Sequence, residues 1–159
     1  VIITFGVDPG LGGGLASTTD YASVCKMPTL SSGKGSGKVL DESGILNWFQ
    51  DQGGYMDAHA FIERASAMPK QGVTSVFTFG TEWGIIRGIL VGLGIPYTIV
   101  SPKDWQGEML RGVSKGDTKA ASLIVAKRLF PQLAETIGKH HGMSDALLIA
   151  EWGRRQLKT

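Results

Sequence analysis

The strongest constraint on the fold is the opening run Ile2-Ile3-Thr4-Phe5-Gly6-Val7. It is almost wholly apolar, ends on Asp8 and leads into the glycine-rich turn Pro9-Gly10-Leu11-Gly12-Gly13-Gly14. A continuous apolar run of this kind suits a strand buried on both faces near the middle of a sheet. A carboxylate at its end is costly unless a metal ion or a basic partner neutralises it. Read only as the residue that opens the Pro9-Gly10 bend, Asp8 needs neither. Whether other acids converge on it decides between the two.

With 159 residues, 42% of them hydrophobic and 19% charged, residues 1–159 are expected to form a single globular domain. A net charge of +2 permits a local nucleic-acid-binding patch without demanding one. Cys25 is the only cysteine, which excludes an internal disulfide framework and a multi-cysteine zinc site and fits a reducing, intracellular setting. No apolar run reaches membrane-spanning length and no signal peptide is visible. A start at Val1 fits a trimmed targeting segment or tag, and the compartment is not readable from these features.

After the first strand, residues 13–17 and 22–26 flank Thr18-Thr19-Asp20-Tyr21 at hairpin spacing and complete a three-stranded antiparallel start. Residues 31–38, with Lys34 and Lys38 among glycines and serines, read as a flexible linker or a DNA-contacting arm. Asp41 caps an expected helix over 42–51, with Ile45, Leu46, Trp48 and Phe49 on its apolar side. Residues 58–63, Ala-His-Ala-Phe-Ile-Glu, form a short buried strand that again ends in an acid; His59 near its start reads as ordinary.

A helix over 75–92 carries Gly80, Gly84, Gly88 and Gly92 at a spacing of four, on one face. Each interior glycine costs about 1 kcal/mol against alanine, so close packing on the sheet or across a dimer interface is expected to compensate. A strand over 95–100 leads to Ser101-Pro102, a strong helix start for 102–110, which presents Lys103 and Trp105. The basic connection 111–116 precedes a helix over 118–129 capped by Asp117, and a last helix covers 145–156. The order is β-β-β-α-β-α-β-α-α-α, an α/β fold without internal repeats.

Asp8 and Glu63 both end apolar strands, and consecutive buried strands are often neighbours, which places the two carboxylates together. Adjacent carboxylates raise each other's pKa unless a divalent cation lies between them, and oxygen ligands suit Mg²⁺ or Mn²⁺. The third acid, Asp145, stands four residues after His141, so the two share a face if that segment is helical. Taken singly, Asp145 is a favourable first-turn acid and His140-His141 an exposed pair.

In order along the chain, Gly6-Val7-Asp8-Pro9-Gly10, Ile62-Glu63-Arg64-Ala65 and Ser144-Asp145-Ala146-Leu147-Leu148-Ile149-Ala150 resemble the motif series of the RuvC-type Holliday-junction resolvases. The likeness is greatest to the divergent phage and chloroplast branch, where segments like Ser101-Pro102, Lys115 and Leu129-Phe130-Pro131 precede the last motif. The resemblance implies an RNase H-like fold with a five-stranded mixed sheet flanked by helices, acting as a homodimer. It also implies a Mg²⁺-dependent endonuclease, with Mn²⁺ as a substitute, that makes paired symmetric nicks in four-way DNA junctions. By position, Asp8, Glu63 and Asp145 would be the metal-binding carboxylates and His141 the fourth catalytic and metal-site group, with His140 as its alternative. Many bacterial members carry the fourth group three residues before the last Asp, where this chain has Gly142. Two ions about 3.5–4 Å apart are the usual arrangement for such cleavage.

Phosphate contacts are expected from Lys70, Lys103, Arg111, Lys115 and Lys119, of which Lys115 and Lys119 match the family's basic segment best. Met68, with Phe77 as the other candidate, is placed by analogy near the junction centre as an unstacking wedge. The rival readings are another RNase H-like nuclease acting on RNA–DNA hybrid or branched DNA, an actin- or sugar-kinase-like nucleotide-binding domain with residues 8–14 as phosphate loop, and an inactive DNA-binding protein. A branch-migration partner and the preferred cleavage sequence are not readable.

Overall fold

The computed structural model describes residues 1–53, 57–66, 68–113 and 116–158. The elements are β1 (Ile3–Asp8), β2 (Gly14–Thr18), β3 (Ala22–Lys26), β4 (Thr29–Ser31), β5 (Lys38–Leu40), α1 (Glu42–Asp51), β6 (Ala58–Glu63), α2 (Val73–Gly92) and β7 (Tyr97–Val100). They are followed by α3 (Pro102–Met109), α4 (Thr118–Leu129), a 3₁₀ turn at Pro131–Leu133, α5 (Ala134–Ile137) and α6 (His141–Gln156). The main sheet has five strands in the order β3-β2-β1-β6-β7. Strands β1, β2 and β3 are antiparallel in turn, while β6 runs parallel to β1 and β7 parallel to β6. The opening strand is therefore central, as its unbroken apolar run predicts.

Strand parity divides the interior into two cores. Ile3, Phe5 and Val7 of β1, with Ala58, Ala60 and Ile62 of β6, pack against Ile45 and Phe49 of α1 and Ile86 and Leu90 of α2. Residues of the other parity face α6, where Phe61 joins Leu147, Leu148 and Ala150. Asp8 and Glu63 share that second parity, so both strand-end acids point to the α6 side. Helices α3 and α4 then cover the outer side of α6, through Trp105, Met109, Val125 and Ala126.

Helix α6 can lie directly on the sheet because glycines remove the side chains between them. A Cβ at Gly6 would sit 2.0 Å from the Ala146 carbonyl oxygen, and one at Gly14 would sit 2.6 Å from the Gly142 oxygen. The periodic glycines of α2 do something else. A Cβ at Gly80, Gly84, Gly88 or Gly92 would meet nothing within 4 Å, so the expected close packing of this stripe on the sheet is not found. The helix turns Glu82, Ile86 and Leu90 inward and leaves the glycine face exposed.

Two further expectations change. The 31–38 segment, read as linker or arm, is the turn of a small antiparallel ribbon in which Thr29 pairs with Leu40 and Ser31 with Lys38. The last helix begins at His141 and not at 145, because the His140 side chain supplies its N-cap. The caps at Asp41, Ser101 and Asp117 are where the sequence places them, each accepting from a backbone N–H in the first turn of its helix. Burial pushes the thiol of the half-buried Cys25 up to about 11, which leaves little reactive thiolate at neutral pH.

Candidate active site

Val7 pairs with Ile62 in the parallel β1–β6 ladder, so Asp8 and Glu63 end neighbouring strands at the same level. Neighbouring strands lie about 4.8 Å apart. The turn after Asp8 closes with the Gly13 N–H donating to the Gly10 carbonyl at 3.0 Å, Gly10 adopting a φ of +103°. The start of α6 abuts that turn: a Cβ at Gly142 would lie 2.3 Å from the Gly12 oxygen. The contact brings His141 and Asp145, one helical turn apart, to the strand ends.

The three acids act on one another. Burial, then the charges of Asp145 and Glu63, hold the Asp8 carboxyl well above its usual range, with Lys119 pulling the other way. Glu63 is raised by burial and by Asp145, against the hydrogen bond that Trp105 Nε1–H donates to Oε2 at 2.6 Å. Asp145 is raised by burial, against a hydrogen bond from Ser122 and the nearby charges of His141 and Lys119. Mutual repulsion among half-buried carboxylates is the state that a divalent cation relieves.

The two adjacent histidines differ. His140 Nδ1 accepts the Met143 N–H at 3.1 Å and is occupied as the helix cap. His141 Nδ1 is buried and has no hydrogen-bond partner among the described residues. Gly142 cannot carry a fourth ligand, since any side chain there would enter the Gly12–Gly13 backbone. Three carboxylates and one free imidazole nitrogen are a donor set suited to Mg²⁺ or Mn²⁺. Among the described residues no three acids, histidines or cysteines stand together as a closed metal cage.

The candidate DNA contacts fall in separate places. Lys119, in the first turn of α4, lies within electrostatic reach of Asp8 and Asp145. Lys103 and Arg111 line a groove of about 420 Å³ between α3 and α4, floored by Leu110 and Ala121. Met68 and Lys70 are exposed in the β6–α2 connection, with Lys70 at a φ of +68°, while the neighbouring Gln71 lines a cleft with Gly10 and Leu11. Phe77 is exposed on α2 and lines a groove with Leu30 and Val39 of the β4–β5 ribbon. Lys115 lies outside the described residues.

Sequence reasoning assigned no role to Trp105 or Ser122, the two donors on the carboxylates. The available signal was general: a fully buried Trp N–H requires an acceptor. Trp105 is completely buried and finds Glu63. A serine within a helix carries no comparable mark.

No protein family's sequence profile matches the chain. Over 96 residues, 59% of the chain, it is 31% identical to the protein named Holliday junction resolvase MOC1, chloroplastic, of Chlamydomonas reinhardtii. The chain covers 11% of that relative's length. In structure it is similar to Thermus thermophilus RuvC, with a TM-score of 0.59, 13% identity, and coverage of 98% of this chain and 96% of that one. It is also similar to T. thermophilus RuvC in complex with Holliday junction substrate, at a TM-score of 0.60, the same 13% identity and the same coverages. The fold is thus that of RuvC, and the expected RNase H-like, five-stranded mixed sheet flanked by helices is borne out.

Proposed function

We propose that residues 1–159 act as a RuvC-type, metal-dependent endonuclease that resolves four-way DNA junctions by paired nicks. The observation that carries this reading is the meeting of Asp8, Glu63 and Asp145 on one face of the sheet, each held protonation-prone by burial, beside the unpartnered His141 Nδ1. The RuvC fold and the resolvase relative support it. Asp8, Glu63, Asp145 and His141 would hold Mg²⁺, with Mn²⁺ as a substitute; the bound metal supplies Lewis-acid stabilisation and a lowered water pKa for phosphodiester hydrolysis. Asp8 and Glu63 orient from rigid strand ends, Asp145 from α6, and Lys119 adds a cation beside them for a DNA phosphate. Lys70, Lys103, Arg111 and Lys115 extend the phosphate contacts, and Met68 serves as wedge at the crossover.

Two cuts in a two-fold junction call for two active sites. The exposed face of α2 supports a homodimer: Val73, Phe77 and Val91 are 86%, 75% and 67% exposed, and the glycines between them leave room for a second backbone. Among the described residues no helix is long and apolar enough to cross a membrane. A reducing compartment, cytoplasm or organelle interior, suits a chain with one inert thiol.

With Mg²⁺, the protein is expected to nick a four-way junction symmetrically and to spare linear duplex. Gel analysis of strand-labelled junctions checks this, and equal cutting of duplex or RNA–DNA hybrid rejects it. The histidines give a separate test. His141→Ala is expected to lower cleavage by about 100-fold, a few kcal/mol of lost ligation. His140→Ala is expected to cost helix-cap stability of about 1 kcal/mol, with far smaller loss of rate. Equal effects on single-turnover rate reject the assignment of His141.

A further inference from the structure

We propose that Ser122 is a positioning residue whose hydroxyl fixes the Asp145 carboxylate for metal binding. The inference rests on the nuclease reading above. Ser122 lies on α4, 1% exposed, alongside the buried Ala121, Val125 and Ala126. A buried hydroxyl in such a seam must be hydrogen-bonded to be tolerated. Its one proton goes to Asp145 Oδ1, and its oxygen lies 3.0 Å from the hydroxyl oxygen of the fully buried Ser144. Ser144 in turn donates to the His141 carbonyl oxygen at 2.8 Å. The Ser122 hydroxyl therefore sits where α4 meets the segment that carries both His141 and Asp145. It holds one carboxylate oxygen of Asp145 and leaves the other, Oδ2, for an ion.

The same helix presents Lys119 three residues earlier, on the face that looks at the acids. The Asp117 carboxylate caps this turn by accepting from the Lys119 and Ala120 N–H groups at 3.0 and 3.2 Å. Helix α4 thus delivers both a cation and a hydroxyl to the acid cluster. Outer partners of this sort orient metal ligands, and losing one typically costs 10–100-fold in metal affinity.

The test is calorimetric titration of Mn²⁺ into the whole chain without DNA, alongside Mg²⁺-dependent junction cleavage. Ser122→Ala is expected to weaken Mn²⁺ binding by about tenfold or more and to raise the Mg²⁺ concentration for half-maximal cleavage in parallel. Metal-free junction binding should stay within about twofold, as phosphate contacts carry it. Ser122→Thr, which keeps the hydroxyl, should recover most of the loss. Unchanged Mn²⁺ affinity in Ser122→Ala, or equal losses in the Ala and Thr variants, overturns the proposal. If Ser122→Ala does not fold, Ser122→Cys, similar in size with a weak donor, is read by the same titration. A wild type whose Mn²⁺ affinity depends on Ser122 but which cuts no junction refutes the nuclease reading alone. A wild type that cuts junctions, with a Ser122→Ala variant of equal Mn²⁺ affinity, refutes the role of Ser122 alone.

Discussion

Asp8→Asn is expected to reduce junction cleavage by about 1,000-fold or more, the loss of several kcal/mol of metal-borne stabilisation, while making the metal-free protein more stable. Both effects have one cause. Asp8 is half-buried beside Asp145 and Glu63, and in the absence of a cation its charge is paid for by the fold. An amide keeps the shape and removes the charge. A gain of about 1–2 kcal/mol is reasonable for relieving one such conflict, or a rise in melting temperature of about 2–8 °C for a chain of this size.

The pH dependence fixes the sign. Asp8, Glu63 and Asp145 all have folded pKa values above the unfolded ones. The folded state then binds protons more tightly than the unfolded chain, so the stability these groups contribute is complete below the unfolded values. It is lost as pH rises through the raised folded values. His59 and His140 are lowered by burial and act in the opposite sense, so the total curve does not isolate the site. The difference between wild type and Asp8→Asn does: the gap in melting temperature should be larger at pH 8 than at pH 5. Mg²⁺ should close it by stabilising the wild type more than the variant. A constant gap across pH, or equal stabilisation of both proteins by Mg²⁺, refutes the coupled-acid account.

How much of this site was legible in the chain depended on parity. Val7 and Ile62 each precede an acid at the end of an apolar strand, so the period-two alternation carries Asp8 and Glu63 to the same face once the strands pair. Asp145 has no such marker. Its place follows from α6 lying on Gly6, Gly14 and the Gly12–Gly13 turn, a tertiary fact that only the ordered motifs anticipated. The preference for His141 over His140 came from its spacing of four from Asp145 and from the resemblance; that His140 is the helix cap and His141 Nδ1 has no partner among the described residues depends on which backbone N–H stands in front of each ring. Ser122 and Trp105 were invisible as site residues because their partners lie 23 and 42 positions away in sequence.

The glycines give the sharpest contrast between pattern and packing, and it can be measured. Gly6→Ala is expected to destabilise the protein by about 3 kcal/mol or more, since its Cβ would lie 2.0 Å from the Ala146 oxygen and 2.4 Å from the Ala150 nitrogen, both backbone atoms that no rotamer can move. At this size that is a fall in melting temperature of about 6–12 °C. The displaced helix is the one that carries Asp145, so cleavage should fall further than stability alone explains. Gly84→Ala should do the reverse in the isolated chain: its Cβ meets nothing within 4 Å, and the helix gains about 1 kcal/mol of propensity. If a second copy packs on the glycine face of α2, that gain appears only in the monomer, and the dimer weakens. Sedimentation across a concentration series, read beside the melting curves, separates the two terms. A stabilised Gly84→Ala variant with an undiminished dimer would move the subunit contact away from this face, and a stable Gly6→Ala would mean that α6 does not lie on β1 as described.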